Sequence, residues 1–340
     1  MFYARYLVRR IFGGPLPPEP EFDADRATPL PVLLEARGLA RAGDWRAARK
    51  LVDEAGKDWD LRSGLLLEIA GEAMTDDRWL YDWLRAEPSD PTAVLVQAKM
   101  LNGLAGQARG AAPASEASED QFANFHQLAS AATEVGRRAM DLAGPGDPLP
   151  WVHIMGTMFA DRNLMRRSFD DVYAEGRRRD PHNFELHSTA ITLHCQKWYG
   201  SHEQMFAIAR AAAGAAPPGH KTVLLPLHAH FEYAMREYAW NTFTNKSVRD
   251  CKRYFRRREV RQEIDQWIAK FRAAPPGSGR INSCRQWMAI HYTLAGRKKE
   301  AKAVFDELGP YVSPVLEWAW FWGTRKYGYT WSWWWANGVH

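Results

Sequence analysis

Two segments of the chain, one near each end, carry the same spacing of small and apolar residues around a glycine. In the first segment, intervals of 3, 4, 5, 4 and 3 residues separate Ala36, Leu39, Gly43, Ala48, Val52 and Ala55. The second segment repeats these intervals with Ala289, Tyr292, Gly296, Ala301, Phe305 and Leu308. Intervals of 3 and 4 place residues on one face of an α-helix, and a glycine between two such runs suits a tight turn. Each segment is therefore predicted to fold as two helices joined at the glycine.

The rest of the chain also has a helical pattern. Helical runs alternate with Pro- and Gly-containing breaks, and Pro181 and Pro217, which close one helix pair, are 36 residues apart. A tetratricopeptide-like (TPR-like) unit has about 34 residues and ends in this way. No segment shows the alternation of apolar and polar residues that is typical of strands. The predicted fold is all-α: a right-handed α-solenoid of TPR-like helix-turn-helix repeats with a Trp-rich C-terminal cap.

This interpretation divides the 340 residues into three parts. Residues 1–30 are predicted to be an N-terminal helix and a Pro-rich connector, because proline interrupts helices. Residues 31–310 form the repeat array, in which the small, polar stretch 105–119 is a mobile loop and residues 247–273 form one helix. Residues 311–340 form the aromatic capping segment.

Aromatic residues crowd the C-terminal segment. Ten of the 18 residues from Trp318 to Trp335 are Trp, Tyr or Phe. A repeat array needs a last element that covers its terminal apolar face, and the segment is predicted to supply that cover. The alternative is an exposed interface for a partner, a membrane surface or a second copy of the chain in a homodimer.

Composition narrows the setting of the protein. The chain has 45 Lys and Arg against 40 Asp and Glu, a net charge of +5 that permits an acidic partner without requiring one. No apolar run of about 18 residues is present, so no membrane span is expected. The 3 cysteines are odd in number and widely spaced, which favours reduced thiols in a cytoplasmic protein and disfavours a thiolate zinc site.

A basic run occupies residues 246–261, where eight of 16 residues are Lys or Arg. Arg249, Arg253 and Arg256 have the spacing of one helical stripe. Such a stripe could contact the phosphates of a nucleic acid or the carboxylates of an acidic partner. The alternative is a solvated helix face whose opposite side packs inward.

Several histidines raise the question of acid–base or metal chemistry. His187 and His194 share a helix face, but ligands seven residues apart lie about 10 Å apart along the axis, too far for one ion without help from another helix. His228 is the third member of this group. We keep an enzyme that uses His187, His194 and His228 as an alternative, and predict no catalytic residue, no metal and no cofactor.

One stretch, residues 194–210, resembles an uncharacterised bacterial, actinobacterial-type family of TPR-like proteins. The resemblance lies in Trp198 followed by Gly200-Ser201 and then by an amphipathic helix with Met205, Phe206 and Ala207. It covers the middle of the chain, and it implies a helical-repeat fold without implying an activity.

The functional prediction is a non-catalytic scaffold that binds a protein or peptide segment, for which Arg253 and Arg256 would supply charge if the segment is acidic, with nucleic acid as the lesser alternative. The concave groove of a helical-repeat array commonly binds such ligands. Polar and aromatic residues that interrupt the apolar period are predicted to line the groove. They are Trp151, Met155, His187, His194, Tyr233, Arg253, Arg256 and His291.

Overall fold

The computed structural model describes residues 18–28, 30–110, 118–240, 244–277 and 281–339, and within these ranges the fold is all-α, as predicted. The helices are α1 (Pro31–Arg41), α2 (Trp45–Glu54), α3 (Trp59–Ala73), α4 (Arg78–Ala86), α5 (Pro91–Arg109), α6 (Glu119–Leu142), α7 (Leu149–Thr157), α8 (Arg162–Arg179), α9 (Phe184–Leu193), α10 (His202–Ala215), α11 (Leu225–Ala234), α12 (Asn245–Phe255), α13 (Arg258–Arg272), α14 (Ile281–Ala295), α15 (Lys298–Leu308), α16 (Glu317–Trp322) and α17 (Arg325–Ala336). A 3₁₀ turn precedes α11 and a π-helical turn follows it. Among these helices, none combines the length and apolar character needed to cross a bilayer.

The chain forms two compact units. The N-terminal unit comprises Leu30–His194 and Trp198–Gly200, and thus contains α1 to α9. The C-terminal unit comprises Ser201–His340, Cys195–Lys197 and the described residues among Met1–Pro29, and contains α10 to α17. The predicted division at residues 30 and 310 stays a prediction, and most of its first part, residues 1–17, lies outside the described residues.

The first predicted hairpin is formed by α1 and α2. Gly43 between them has a φ of +77°, a left-handed conformation that glycine adopts without a steric penalty. Its amide donates to the Ala40 carbonyl at 2.9 Å, and the Asp44 amide donates to the Leu39 carbonyl at 2.9 Å. These two bonds end α1 as a Schellman motif. The Asp44 carboxylate then accepts a bond from the Ala47 amide at 3.1 Å and caps α2.

The second predicted hairpin, α14 and α15, repeats this turn. Gly296 has a φ of +76°. Its amide donates to the Thr293 carbonyl at 3.2 Å, and the Arg297 amide donates to the Tyr292 carbonyl at 2.8 Å. Ala301, which follows the turn, is fully buried. The two hairpins expected from the matching spacing are therefore both confirmed.

In the N-terminal unit, each odd-numbered helix contacts the next: α1 contacts α3, α3 contacts α5, α5 contacts α7, and α7 contacts α9. Each even-numbered helix contacts the odd-numbered helices before and after it. α5 continues to Arg109, so residues 105–109 of the predicted loop are helical, whereas residues 111–117 lie outside the described residues.

A tryptophan pair organises the core of this unit. The rings of Trp45 in α2 and Trp83 in α4 stack with their centroids 5.4 Å apart. The Trp83 indole donates to the Asp90 carboxylate at 3.2 Å, and Arg49 Nε lies 2.9 Å from the same carboxylate. Asp90 also caps α5 by accepting a bond from the Thr92 amide at 2.8 Å. One buried carboxylate therefore connects the start of α5 to α2 and α4.

In the C-terminal unit, the predicted single helix over residues 247–273 is divided in two. α12 ends at Phe255 and α13 begins at Arg258. Arg257 between them has a ψ of 141°, which is extended backbone. The prediction was wrong at this point because the local sequence contains neither proline nor glycine to mark the break.

The aromatic segment forms α16 and α17, which contact α15 and α14. Trp318 is fully buried, and its indole donates to the Gln286 side chain at 3.0 Å. Its ring stacks on Phe305, with the centroids 6.1 Å apart, and the Tyr329 ring meets it edge-on at 5.5 Å. Part of the aromatic segment is thus packed against the second hairpin, whereas Tyr327 is 55% exposed.

Candidate functional site: a cationic and aromatic cavity

A cavity of about 600 Å³ lies between α12 and the α16–α17 segment of the C-terminal unit. We call it the Arg/Trp cavity. Four of its lining residues are cationic and three are aromatic. The lining is Val248, Arg249, Lys252, Arg253, Arg256, Trp322, Tyr327 and Trp331. Two of the predicted groove residues, Arg253 and Arg256, therefore border the same cavity.

Helical periodicity places the cations on one wall. The side chain of Thr244 caps the start of α12 by accepting a bond from the Ser247 amide at 3.1 Å. Arg249 and Arg256 are seven residues apart, about 10 Å along the helix axis, and so lie on the same side of it. The opposite side is anchored by Cys251 and Phe255, which are both fully buried. The packed face of α12 therefore directs the charged face toward the cavity.

The charges on this wall are mostly uncompensated. Arg253 donates to the Asp250 carboxylate at 3.0 Å. Among the carboxylates of the described residues, none forms an ion pair with Arg249, Lys252 or Arg256. Positive charges held together in this way favour the binding of an anion.

Lys252 is the most enclosed of the four cations. Its Nζ lies 4.7 Å from the centroid of the Trp331 ring, within the range of a cation–π contact. Burial, and secondarily the charge of Arg256, lowers the pKa of Lys252. Both causes act against the charged form of the ammonium group, and a bound anion would oppose them.

The second wall depends on close packing between α16 and α17. Gly323, with a φ of +85°, makes the turn that joins them. A Cβ at Gly328 would stand 2.8 Å from the Trp318 carbonyl oxygen, so only glycine lets the two helices approach this closely. Tyr327 and Trp331 are one helical turn apart on α17 and face the same cavity. Tyr327 is the exposed ring of this wall, whereas Trp322 is only 5% exposed.

Four predicted groove residues lie in the N-terminal unit. Trp151 is buried beneath Arg179, whose guanidinium carbon is 3.6 Å from its ring centroid. Met155 is fully buried, and His187 is 2% exposed. His194, at the end of α9, is partly exposed. Met155 and His187 therefore have almost no surface with which to contact a ligand, since both pack inward.

The two histidines of this group have internal partners. The ring of His187 hydrogen-bonds the Tyr173 hydroxyl at 2.8 Å through Nδ1 and the Pro181 carbonyl at 2.9 Å through Nε2. His194 Nδ1 lies 3.0 Å from the Ala190 carbonyl oxygen. Burial lowers the pKa of both imidazoles. Both rings are held in fixed positions by these bonds.

The remaining predicted groove residues, Tyr233 and His291, lie in the C-terminal unit outside the lining of the cavity. Tyr233 is partly exposed and stacks on Tyr254, with the ring centroids 4.9 Å apart. His291 is fully buried, and burial lowers its pKa to about 3. His291 is therefore a neutral core residue without access to a ligand.

His228, the third histidine of the enzyme alternative, lies in the C-terminal unit, whereas His187 and His194 lie in the N-terminal unit. Its Nδ1 is 3.3 Å from the Glu317 carboxylate, and Glu232 lies 4.0 Å from its Nε2. Lys197 in turn pairs with Glu232 at 2.7 Å. Lys197 and Glu232 thus form an ion pair beside His228. In the part of the chain that the structure describes, no group of three or more His, Cys, Asp or Glu side chains could hold a metal ion.

The sequence reasoning found half of the cavity. It placed Lys252 in the basic run, but it treated Trp322, Tyr327 and Trp331 as members of a capping segment or an exposed interface, and did not connect them with the basic run. The spacing of Tyr327 and Trp331 was a signal for one helical face, but nothing local indicated which helix that face would meet.

Comparison of the chain with family models, with curated proteins and with solved structures finds no match. The site therefore has to be interpreted from its own geometry.

Proposed function

We propose that this chain is a non-catalytic binding protein whose Arg/Trp cavity takes up an acidic segment of another protein. The observation that carries the proposal is the cavity wall of α12, where four cations have, among the residues that the structure describes, a single carboxylate partner at Asp250. Hydrogen bonds from guanidinium groups to carboxylates are strong and directional. The cavity is also within the size range of ligand pockets in general.

We further propose that the helices form a right-handed α-solenoid of TPR-like repeats. The ordered contacts of α1 to α9 support it, as does the identical glycine turn of the two hairpins. Stacked helix pairs of this kind serve mostly as binding surfaces. The resemblance of residues 194–210 to TPR-like bacterial proteins belongs to the same proposal.

A cytoplasmic location is part of the proposal. Its support is the number and spacing of the 3 cysteines, which are odd in number and widely separated in the sequence, and which are buried in the structure. Such cysteines are more usual in a reducing compartment than in an oxidising one.

The test is a binding titration with a fluorescein-labelled peptide rich in Asp and Glu, followed by fluorescence anisotropy. The double variant Arg253→Glu/Arg256→Glu reverses two charges of the cavity wall. The matched control is Arg166→Glu/Arg167→Glu, which reverses two exposed charges on α8 in the other unit. Each charge-assisted bond contributes about 1.5–3 kcal/mol, so the cavity variant is expected to bind at least about tenfold more weakly.

Equal affinity of the cavity variant and the wild type would refute the proposal, as would an equal loss in the α8 control. Circular dichroism of all three proteins establishes that the substitutions leave the helices intact. A peptide with Lys and Arg in place of Asp and Glu measures nonspecific association.

Nucleic acid is the second candidate, because exposed basic residues continue beyond the cavity at Arg257, Arg258 and Arg261. A single-stranded oligonucleotide bound through its phosphates would lose affinity steeply with added salt. Tighter binding of the oligonucleotide than of the acidic peptide would favour this candidate.

A further inference from the structure

We infer that the acidic segment taken up by the Arg/Trp cavity carries a phosphorylated side chain, with the phosphate monoester held by the arginines of α12. This inference rests on the proposed function and specifies its ligand. It follows from the number of charges in the cavity, from their spacing and from the state of the aromatic wall.

The charges of the cavity wall are unbalanced. Arg249, Lys252 and Arg256 have no carboxylate partner within the described residues, and Arg253 has only Asp250. One carboxylate of a ligand would balance one of these cations. A phosphate monoester carries about −1.5 to −2 charges and three acceptor oxygens, and so meets several donors from a single side chain.

Lys252 is enclosed within this wall. Its ammonium group is partly buried against the Trp331 ring, where water can reach it from few directions. Arg256 lies near enough for its charge to lower the pKa of Lys252. Two cations held close together are stabilised most by an anion that touches both. A phosphate group has enough oxygens to do so, and recognition of phosphorylated segments by arginine clusters works on this basis.

The aromatic wall favours a phosphorylated protein segment over a nucleic acid strand. A single strand binds by stacking successive bases on the open faces of several aromatic rings. In the cavity, Trp322 is 5% exposed and Lys252 covers a face of Trp331. Tyr327, at 55%, is the exposed ring. Tyr327 is therefore the most exposed aromatic contact beside the cations, which suits a single phosphorylated residue better than a row of bases.

The experiment compares three labelled peptides of one neutral sequence that differ at the central position: phosphotyrosine, tyrosine, or a pair of glutamates that matches the charge of the phosphate. Phosphotyrosine is the probe because its ring can contact Tyr327 while its phosphate reaches the arginines. We expect the phosphopeptide to bind the full-length chain at least about tenfold more tightly than the two-glutamate peptide.

Substitutions of the chain distinguish the inference from the proposed function. Arg253→Lys/Arg256→Lys keeps both charges but removes the forked donors that match phosphate. It is expected to lower the affinity for the phosphopeptide at least about tenfold and the affinity for the two-glutamate peptide by a smaller factor, because the forked donors also pair with carboxylates. Arg166→Lys/Arg167→Lys is the matched control and should change neither affinity.

Equal binding of the phosphopeptide and the two-glutamate peptide overturns the inference and leaves the proposed function standing. Failure of both peptides to bind overturns both. If inorganic phosphate or phenyl phosphate competes at the same concentration as the phosphopeptide, the cavity is a site for small phosphate compounds, and the inference of a phosphorylated protein segment is overturned. Tighter binding of a single-stranded oligonucleotide than of the phosphopeptide overturns the inference as well.

Discussion

The turn glycines offer the most direct test of how the matching spacing produces the hairpins. We predict that Gly43→Ala destabilises the N-terminal unit and that Gly38→Ala, five residues earlier in α1, stabilises it. The two substitutions add the same methyl group, but Gly43 has a φ of +77° and Gly38 lies within the helix. Opposite signs from the same chemical change would isolate the effect of the backbone conformation.

The magnitude follows from the surroundings of each glycine. A Cβ at Gly43 would meet only Trp79 Cβ at 3.7 Å, which is ordinary contact, so the cost is conformational. The left-handed region costs an alanine about 1–2 kcal/mol, and the stiffer unfolded chain returns part of it, leaving a net loss of about 1 kcal/mol. A Cβ at Gly38 would have nothing within 4 Å. Alanine there is expected to gain about 0.5–1 kcal/mol from helix propensity.

The assay is urea unfolding followed by circular dichroism. The free energy of unfolding falls by about 2 kcal/mol per molar urea, so the urea midpoints of the two variants should differ by about 1 M, with the wild type between them. Both positions lie in the same unit, so the comparison holds even if the two units unfold separately. Equal midpoints, or a Gly43→Ala protein more stable than the wild type, would show that the turn does not require glycine as argued.

Three further predictions concern the core, the pH dependence and the cavity. Burial lowers the pKa of His153 from 6.5 to about 4. The free energy of unfolding should therefore fall by about 3 kcal/mol as the pH drops from 6.5 toward 4, because the unfolded chain takes up a proton there and the folded chain does not. His153→Gln should make acid unfolding less steep, and an unchanged acid profile would contradict this. Trp83→Phe removes a buried indole hydrogen bond and should cost about 2 kcal/mol in urea unfolding, whereas Trp198→Phe, at a residue 39% exposed, should cost little. Gly296→Ala places a Cβ 3.0 Å from the Arg256 guanidinium, so it should displace this flexible side chain and weaken binding of the acidic peptide, besides costing the C-terminal unit about 1 kcal/mol for the left-handed turn; an unchanged affinity would argue against a role for Arg256.

Helix hairpins were predictable because their determinants are local. The intervals around Gly43 and Gly296 define an apolar helix face, a left-handed turn and a small residue at the start of the second helix. Successive residues of the pattern are only three to five positions apart, so the spacing alone reveals these requirements. The all-α class follows in the same way, because helical periodicity persists along the chain and alternation is lacking.

The break between α12 and α13 was not predictable on this basis. Residues 256–258 are three arginines, which are good helix formers, and no proline or glycine interrupts them. The extended backbone at Arg257 therefore arises from tertiary packing that outweighs local preference. Local sequence likewise did not show that tertiary packing buries Met155 and His291. Both were predicted to line a groove, and both are fully buried.

The sequence by itself determined the all-α class, where the two glycine turns lie, and that one stretch of helix would carry a concentrated positive charge. Those properties depend on residues close together in the chain. Only the tertiary structure decided that Arg249, Lys252, Arg253 and Arg256 would face Tyr327 and Trp331 across a cavity, because these groups are separated by about seventy residues whose path no local pattern specifies. The physical reason is that packing of the buried faces of α12 and α17 orients their outward faces, and which buried faces meet is a property of the whole unit.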